Sequence, residues 1–287
     1  MHYTQVKGFL SNHNGMNLYR GCTHGCIYCD SRSTCYQMNH RFEDINVKEN
    51  GLKLLETELI RKHQKCMIGT GAMTDPYIPL ETTIKYTHQA LEVIYKYGFG
   101  VAIQTKSARI LDDLNLLKKI NQRSKAIVQM TLTTYDDALS QVLEPNVSTT
   151  KERFEALCEF QQAGIGTVVW LSPLLPFIND TVENMQGLLM YCVKAKVKGV
   201  IFFGAGLTLR EGNREYFYQQ LDKHFPGMKQ RYQRIYGNRY ECRSPNHTKI
   251  KDLVEKTCEA HGILYDIDEV FTYMKTFPKK TRQLSLF

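Results

Sequence analysis

The chain has 287 residues, 43% of them hydrophobic and 23% charged, and a formal net charge of +8. That is enough apolar material for one barrel-sized domain with an appendage, and it excludes a disordered chain. No apolar run approaches the ~20 residues that span a bilayer, and the polar start Met1-His-Tyr-Thr-Gln-Val-Lys lacks a signal-peptide pattern, so no membrane contact and a cytoplasmic location are expected.

Short β-type runs alternate with longer helical patterns along the chain. The first strand is predicted at 16–20, followed by a helix at 51–63, where Leu52, Leu55, Leu59 and Ile60 share a face. A strand at 66–71 leads to a helix at 82–97, and one at 101–105 to a helix at 108–120. A fourth strand at 126–132 precedes a helix at 149–163, a fifth at 166–171 a helix at 182–195, and a sixth at 200–204 a helix at 212–224. Gly98 and Gly164 sit where two of these helices need C-caps. From about Pro226 the alternation decays into a basic tyrosine-rich segment, a helix at 248–261, a short strand at 263–266 and a basic tail. The expected organisation is a core over 1–225, a basic extension over 226–278 and a flexible tail over 279–287.

Repeated βα units make an α/β protein with a parallel sheet. Six units are too few for a closed eight-stranded barrel, which leaves an open doubly wound sheet or a partial barrel. In either form chemistry gathers at the C-terminal ends of the strands.

One such end carries Cys22-Thr-His-Gly-Cys26-Ile-Tyr-Cys29. Three thiolates in eight residues can hold an iron-sulfur cluster and leave one iron without a protein ligand, open to a cofactor or substrate. An odd total of nine cysteines suits a reducing compartment, where thiols stay free to bind metal. The alternative is a structural zinc completed by Cys35 or His24.

The CxxxCxxC spacing, with Tyr28 before the last cysteine, resembles the radical S-adenosylmethionine (SAM) superfamily. Further segments resemble its spore photoproduct lyase-like branch. The resemblance implies a partial (β/α)6 TIM-type barrel with a small C-terminal extension. It also implies a 4Fe-4S cluster on Cys22, Cys26 and Cys29, and reductive cleavage of SAM to a 5'-deoxyadenosyl radical. Tyr28, Thr74, Asp75, Lys106 and Thr131 are then the cofactor-binding candidates. Thr74 and Asp75 would meet the methionine amino group, Lys106 its carboxylate, and Thr131, ahead of Thr133, the ribose. In Leu143-Glu-Pro-Asn146 and Lys151-Glu-Arg-Phe-Glu155, Glu144 and Arg153 are placed to pair as an architectural link. A flavodoxin- or ferredoxin-type electron donor is implied as well.

The sequence departs from the branch at Ala72, where spore photoproduct lyases carry a hydrogen-donating cysteine. Cys242 is the first replacement candidate for hydrogen transfer and Tyr240 the second. Between Lys229 and Arg243, four arginines (231, 234, 239 and 243) interleave with Tyr232, Tyr236 and Tyr240. This suits phosphate binding and base stacking, or equally an amphipathic segment packed on the barrel. The tail Gln283-Leu-Ser-Leu-Phe287 resembles the peptide by which bacterial proteins dock on the DNA sliding clamp, with Gln283, Leu284, Leu286 and Phe287 as contacts. The leading expectation is a radical SAM enzyme acting on DNA. Alternatives are the same chemistry on RNA, a peptide or a metabolite, and a non-enzymatic metal-stabilised nucleic-acid adaptor.

Overall fold

The computed structural model describes residues 1–70 and 73–278. In chain order the strands are β1 His2–Thr4, β2 Gly15–Met16, β3 Tyr19–Arg20, β4 Asn46–Lys48, β5 Met67–Thr70, β6 Gly100–Thr105, β7 Ala126–Thr131, β8 Gly166–Trp170, β9 Gly199–Ile201, β10 Gly206–Thr208 and β11 Glu241–Arg243. The helices are α1 Gly51–Arg61, α2 Glu81–Ile84, α3 Tyr86–Lys96, α4 Leu114–Arg123, α5 Asp137–Leu143, α6 Thr150–Gln162, α7 Val182–Lys194, α8 Asn213–His224, α9 Met228–Tyr236, α10 His247–His261 and α11 Ile267–Lys275.

Six strands, β2-β5-β6-β7-β8-β9, form one all-parallel sheet in sequence order. Strand order that follows the chain, with a helix on most crossovers, is the partial barrel rather than the doubly wound sheet, whose order reverses at its centre. Side chains alternate across each strand and sort the sequence into two layers. Val101, Ile103, Val128, Met130, Val169 and Val200 face outward into the main core with the helices. Ala102, Ile127, Val168 and Ile201 face inward, where Val270 and Met274 of α11 close the bottom of the barrel against them. Two residues further along the same inner faces come Gln104, Trp170 and Phe203, which line an open cavity at the strands' C-terminal ends.

The expected elements differ from the observed ones in instructive places. The first strand splits, because β3 leaves the sheet to pair with β4 beside β1. The expected helix at 82–97 is two helices, broken where Lys85 takes a left-handed conformation at φ 47°. The helix at 108–120 begins as a 3-10 turn over Ala108–Asp113, capped by Ser107. The strand expected at 263–266 reduces to one parallel bridge, Leu264 to Gly199. The supposed basic tail contains α11, whose Val270 and Met274 are one helical turn apart. Gly98 and Gly164 do end helices, at φ 69° and 72°. No helix among the described residues is long and apolar enough to cross a membrane.

Candidate active site

The cysteine loop follows β3 and is held by backbone bonds on both sides. Cys22 N–H donates to Phe42 O (3.0 Å), and Ile27 N–H to Leu143 O (3.0 Å). A buried chain of polar groups fixes the aromatic residue of the motif. The Tyr28 hydroxyl donates to Glu144 Oε1. Glu144 Oε2 pairs with Arg153 Nη2 at 2.5 Å, and Arg153 Nη1 donates to the Thr131 carbonyl at 2.6 Å. The expected Glu144–Arg153 pair is therefore present, with both side chains fully buried, and it ties the loop to the end of β7. Although burial disfavours its charged form, Arg153 and then Lys106 hold Glu144 below the usual carboxylate range. Burial, with Glu144 next to it, pushes the Tyr28 phenol well above its ordinary value.

Asp75 lies against the cysteine loop, with Oδ2 3.6 Å from His24 Nδ1. Its Oδ1 accepts from Tyr77 N–H (2.8 Å) and from the Thr105 hydroxyl (2.6 Å), while Oδ2 accepts from Lys106 N–H (2.7 Å). Thr74 donates its hydroxyl to Gly21 O at 2.6 Å, which fixes the approach to the cysteine loop. Both side chains keep oxygen lone pairs for a bound ammonium group. Burial opposes the Lys106 ammonium, yet Cys26, Glu144, Asp75 and Cys29 around it hold its pKa above the ordinary lysine value.

These groups share one cavity of about 930 Å³. Cys22, Cys26, Cys29 and Tyr28 line it, as do Thr74, Asp75, Lys106 and Thr131. Thr133 is turned to Thr134 and lies outside the lining. Cys242 reaches the cavity from β11, which runs antiparallel to β10 with Cys242 opposite Leu207. Burial pushes its thiol up to about 11. Tyr240 does not reach the cavity: it is 45% exposed, and its hydroxyl accepts from Arg210 at 2.7 Å. Tyr232 and Tyr236 are buried, with hydroxyls donated to Pro176 O and Arg243 O, so neither offers a face for stacking. Ala72 and the tail positions Gln283, Leu284, Leu286 and Phe287 lie outside the described residues.

The run 171–180 after β8 is expected from the sequence to line the pocket, and Ser172 and Pro173 do so. Trp170, Phe203 and His247 also line it and were not foreseen. A signal was there for two of them: Trp170 has the same inward parity on its strand as Thr131 and Lys106 have on theirs, and Phe203 has it beyond β9.

The donor set discriminates between metals. Sulfurs around a tetrahedral zinc lie about 3.8 Å apart, given Zn–S bonds of about 2.3 Å. Among the described residues, only the ligand atoms of His2, His40 and Asp44 form a group of three within 4.8 Å of one another, so the three motif sulfurs are spread wider than one zinc requires. Cys35 is exposed and accepts from Arg210 at 3.3 Å, away from the cavity. The trio fits a larger multi-iron group. His24 adds a buried Nε2 without a partner among the described residues, on a ring whose pKa burial lowers. Burial raises the Cys22 thiol to about 12 and holds the Cys26 thiol well above the ordinary cysteine range.

The sequence model of the Radical SAM superfamily matches residues 16–189, more than half of the chain. The chain belongs to the radical SAM superfamily. Curated relatives include an uncharacterized protein of Mycobacterium tuberculosis, 29% identical over 232 residues, or 77% of this chain and 66% of the relative. Another is an uncharacterized protein of Methanocaldococcus jannaschii, 32% identical over 60% of this chain and 64% of the relative. The chain thus spans just under two thirds of the length of these relatives. A radical SAM protein of Pseudomonas phage M6, named as an Nalpha-GlyT isomerase, is 24% identical over 57% of this chain and 34% of its own length. Among solved structures, a spore photoproduct lyase mutant superposes with a TM-score of 0.63 at 13% identity, covering 91% of this chain and 78% of that one. A spore photoproduct lyase complexed with dinucleoside spore photoproduct gives 0.58 at 14% identity, covering 86% and 74%. At this identity the likeness is one of fold. Radical SAM membership supports an enzyme, with its reaction left open.

Proposed function

We propose that this radical SAM enzyme cleaves SAM at a 4Fe-4S cluster and uses the resulting 5'-deoxyadenosyl radical on DNA, in lesion repair or base modification. The observation that carries the reading is the single cavity that joins Cys22, Cys26 and Cys29 to Lys106, Thr131 and Cys242. When bound, the cluster supplies the electron that splits the sulfonium bond. Cys22, Cys26 and Cys29 hold it. Lys106 offers a cation to the methionine carboxylate, while Thr74 Oγ1 and Asp75 Oδ2 accept from its ammonium group. Thr131 meets the ribose, and Tyr28, locked by Glu144, packs beside the cysteines. Cys242 gives a hydrogen atom from Sγ to a carbon-centred product radical, and the thiyl left behind is reset by an electron and a proton from a flavodoxin- or ferredoxin-type donor.

DNA as substrate is supported by the basic arginine-rich segment next to the cavity and by the spore photoproduct lyase fold. Docking of Gln283, Leu284, Leu286 and Phe287 on a bacterial-type sliding clamp rests on sequence alone. The decisive experiment is anaerobic reconstitution followed by reductant, SAM and damaged DNA oligonucleotides. The expected result is 5'-deoxyadenosine formation with deuterium exchanged between it and the DNA. A fully loaded cluster that yields no 5'-deoxyadenosine refutes the radical reading. 5'-Deoxyadenosine that never exchanges deuterium with any DNA refutes the substrate.

A further inference from the structure

Phe203 is a large aromatic residue left 60% exposed on the wall of a cavity, where burial of its ring would ordinarily be favourable. It projects from the end of the barrel's last strand beside Trp170, with ring centroids 5.9 Å apart and planes at 53°. Trp170 cannot swing away, because its indole N–H donates to Gln129 Oε1 at 3.0 Å. One aromatic edge is anchored and one aromatic face is open.

Two polar groups on the same cavity have unspent capacity. The Ser172 hydroxyl is buried without a partner among the described residues. His247 accepts from Ala205 N–H at Nδ1 (3.2 Å), so in the neutral ring the proton sits on Nε2 as a donor. Gly204 permits this arrangement: at φ 109° any side chain is strained, and a Cβ there would stand 2.6 Å from the imidazole Cε1. The charged residues of the lining nearly balance, with Asp30, Asp75 and Glu241 facing Lys106 and Arg243. A phosphate would find no strong field inside. A flat ring with hydrogen-bonding atoms on its edge would find a face and two edge partners, which describes a nucleobase rather than a hydrocarbon side chain of a peptide.

We propose that Phe203 and Trp170 form a stacking platform that receives a single unstacked nucleobase of the substrate, with Ser172 and His247 meeting the base edge. This rests on the DNA reading above and adds which part of the nucleic acid enters and what holds it. The volume of about 930 Å³ lies at the top of the ~300–1,000 Å³ range of ligand pockets, which suits a cavity shared by cofactor and base.

Trp170 is the only tryptophan in the chain, so its emission reports directly on this wall. The anaerobically reconstituted protein is titrated with a five-nucleotide single-stranded oligothymidylate, and in parallel with an abasic sugar-phosphate chain of the same length. The base-bearing oligonucleotide should change Trp170 emission saturably and bind tighter than the abasic one. Phe203→Ala should weaken its binding by about fivefold or more, the scale of one lost base–aromatic stack, while Phe203→Tyr should retain it. Equal binding of the two oligonucleotides, no saturable change, or unaltered affinity in Phe203→Ala overturns the platform. So does an equal loss of S-adenosylhomocysteine affinity in Phe203→Ala, which would give the platform to the cofactor. SAM cleavage by the unmodified protein is measured alongside. Cleavage without base preference sinks the platform alone, and base-dependent binding without cleavage sinks the radical reading alone.

Discussion

Arg153 is fully buried, and its guanidinium serves the Glu144 carboxylate, the Thr131 carbonyl and the Ser140 hydroxyl at once. Removing one partner of such a pair leaves an uncompensated charge in the interior, which costs about 3–5 kcal/mol. Arg153→Met should therefore lower unfolding stability by that amount in urea titration. Adding Glu144→Leu should recover part of the loss, because the orphaned carboxylate disappears. A cost below about 1 kcal/mol for the single change would mean that the pair does not hold the cysteine loop to β7. Lys106 makes a different test. If its ammonium meets the SAM carboxylate, Lys106→Gln gives up a charge-assisted hydrogen bond of roughly 1.5–3 kcal/mol, or about ten- to a hundredfold in SAM affinity. Equilibrium dialysis of SAM against reconstituted protein measures it, and unchanged affinity would remove Lys106 from the cofactor site.

At the scale of elements, the position of Cys242 depends on the pairing of β10 with β11. Gly206 sits at φ 152°, and a Cβ there would lie 2.6 Å from the Cys242 carbonyl oxygen. Gly206→Ala must push β11 outward or strain the backbone. It should destabilise the protein by more than about 1 kcal/mol and speed the labelling of Cys242 by a thiol reagent. An unchanged labelling rate would show that the pairing does not shield this thiol. The same pairing shows where sequence reading stops. The six barrel strands were legible because buried parallel strands are nearly continuous apolar runs separated by helical patterns. The cysteine motif was legible because its spacing is local. Strands β10 and β11 are three residues each and meet across more than thirty positions, so nothing near Cys242 announces its neighbours. Cys242 was singled out by the chemistry missing at Ala72, and only the fold brings it to the cavity. Helix α9 hid in a tyrosine–arginine pattern that also reads as a nucleic-acid tract. Its buried Tyr232 and Tyr236 divide that tract into a packed aromatic face and an exposed basic one.

Across the whole molecule, the net charge of +8 matters through where its cations are free. Arg210 and Arg214 are engaged by internal partners, Asp30, Tyr240 and several backbone carbonyls among them. Arg231, Arg234, Arg239 and Arg243 are exposed, and among the described residues none of their side chains has an ion pair or hydrogen bond; Arg231 only lies over the Phe177 ring at 3.8 Å. Arg243 borders the cavity itself. Four exposed guanidiniums without an ion pair among the described residues are suited to grip phosphates outside the cavity while a base enters it. If all four do so, log affinity for single-stranded DNA should fall against log salt with a slope of about −2 to −3, from ~0.7 released counterions per phosphate contact. Replacing Arg234 and Arg239 together by alanine should flatten the slope by roughly 1 to 1.5 and weaken all oligonucleotide sequences alike, since phosphate contacts carry no sequence information. Both residues are exposed, so unfolding does not confound the measurement. A slope near zero in the unmodified protein would mean that the basic face is ordinary solvated surface, and the radical chemistry would then belong to a substrate without a phosphate backbone.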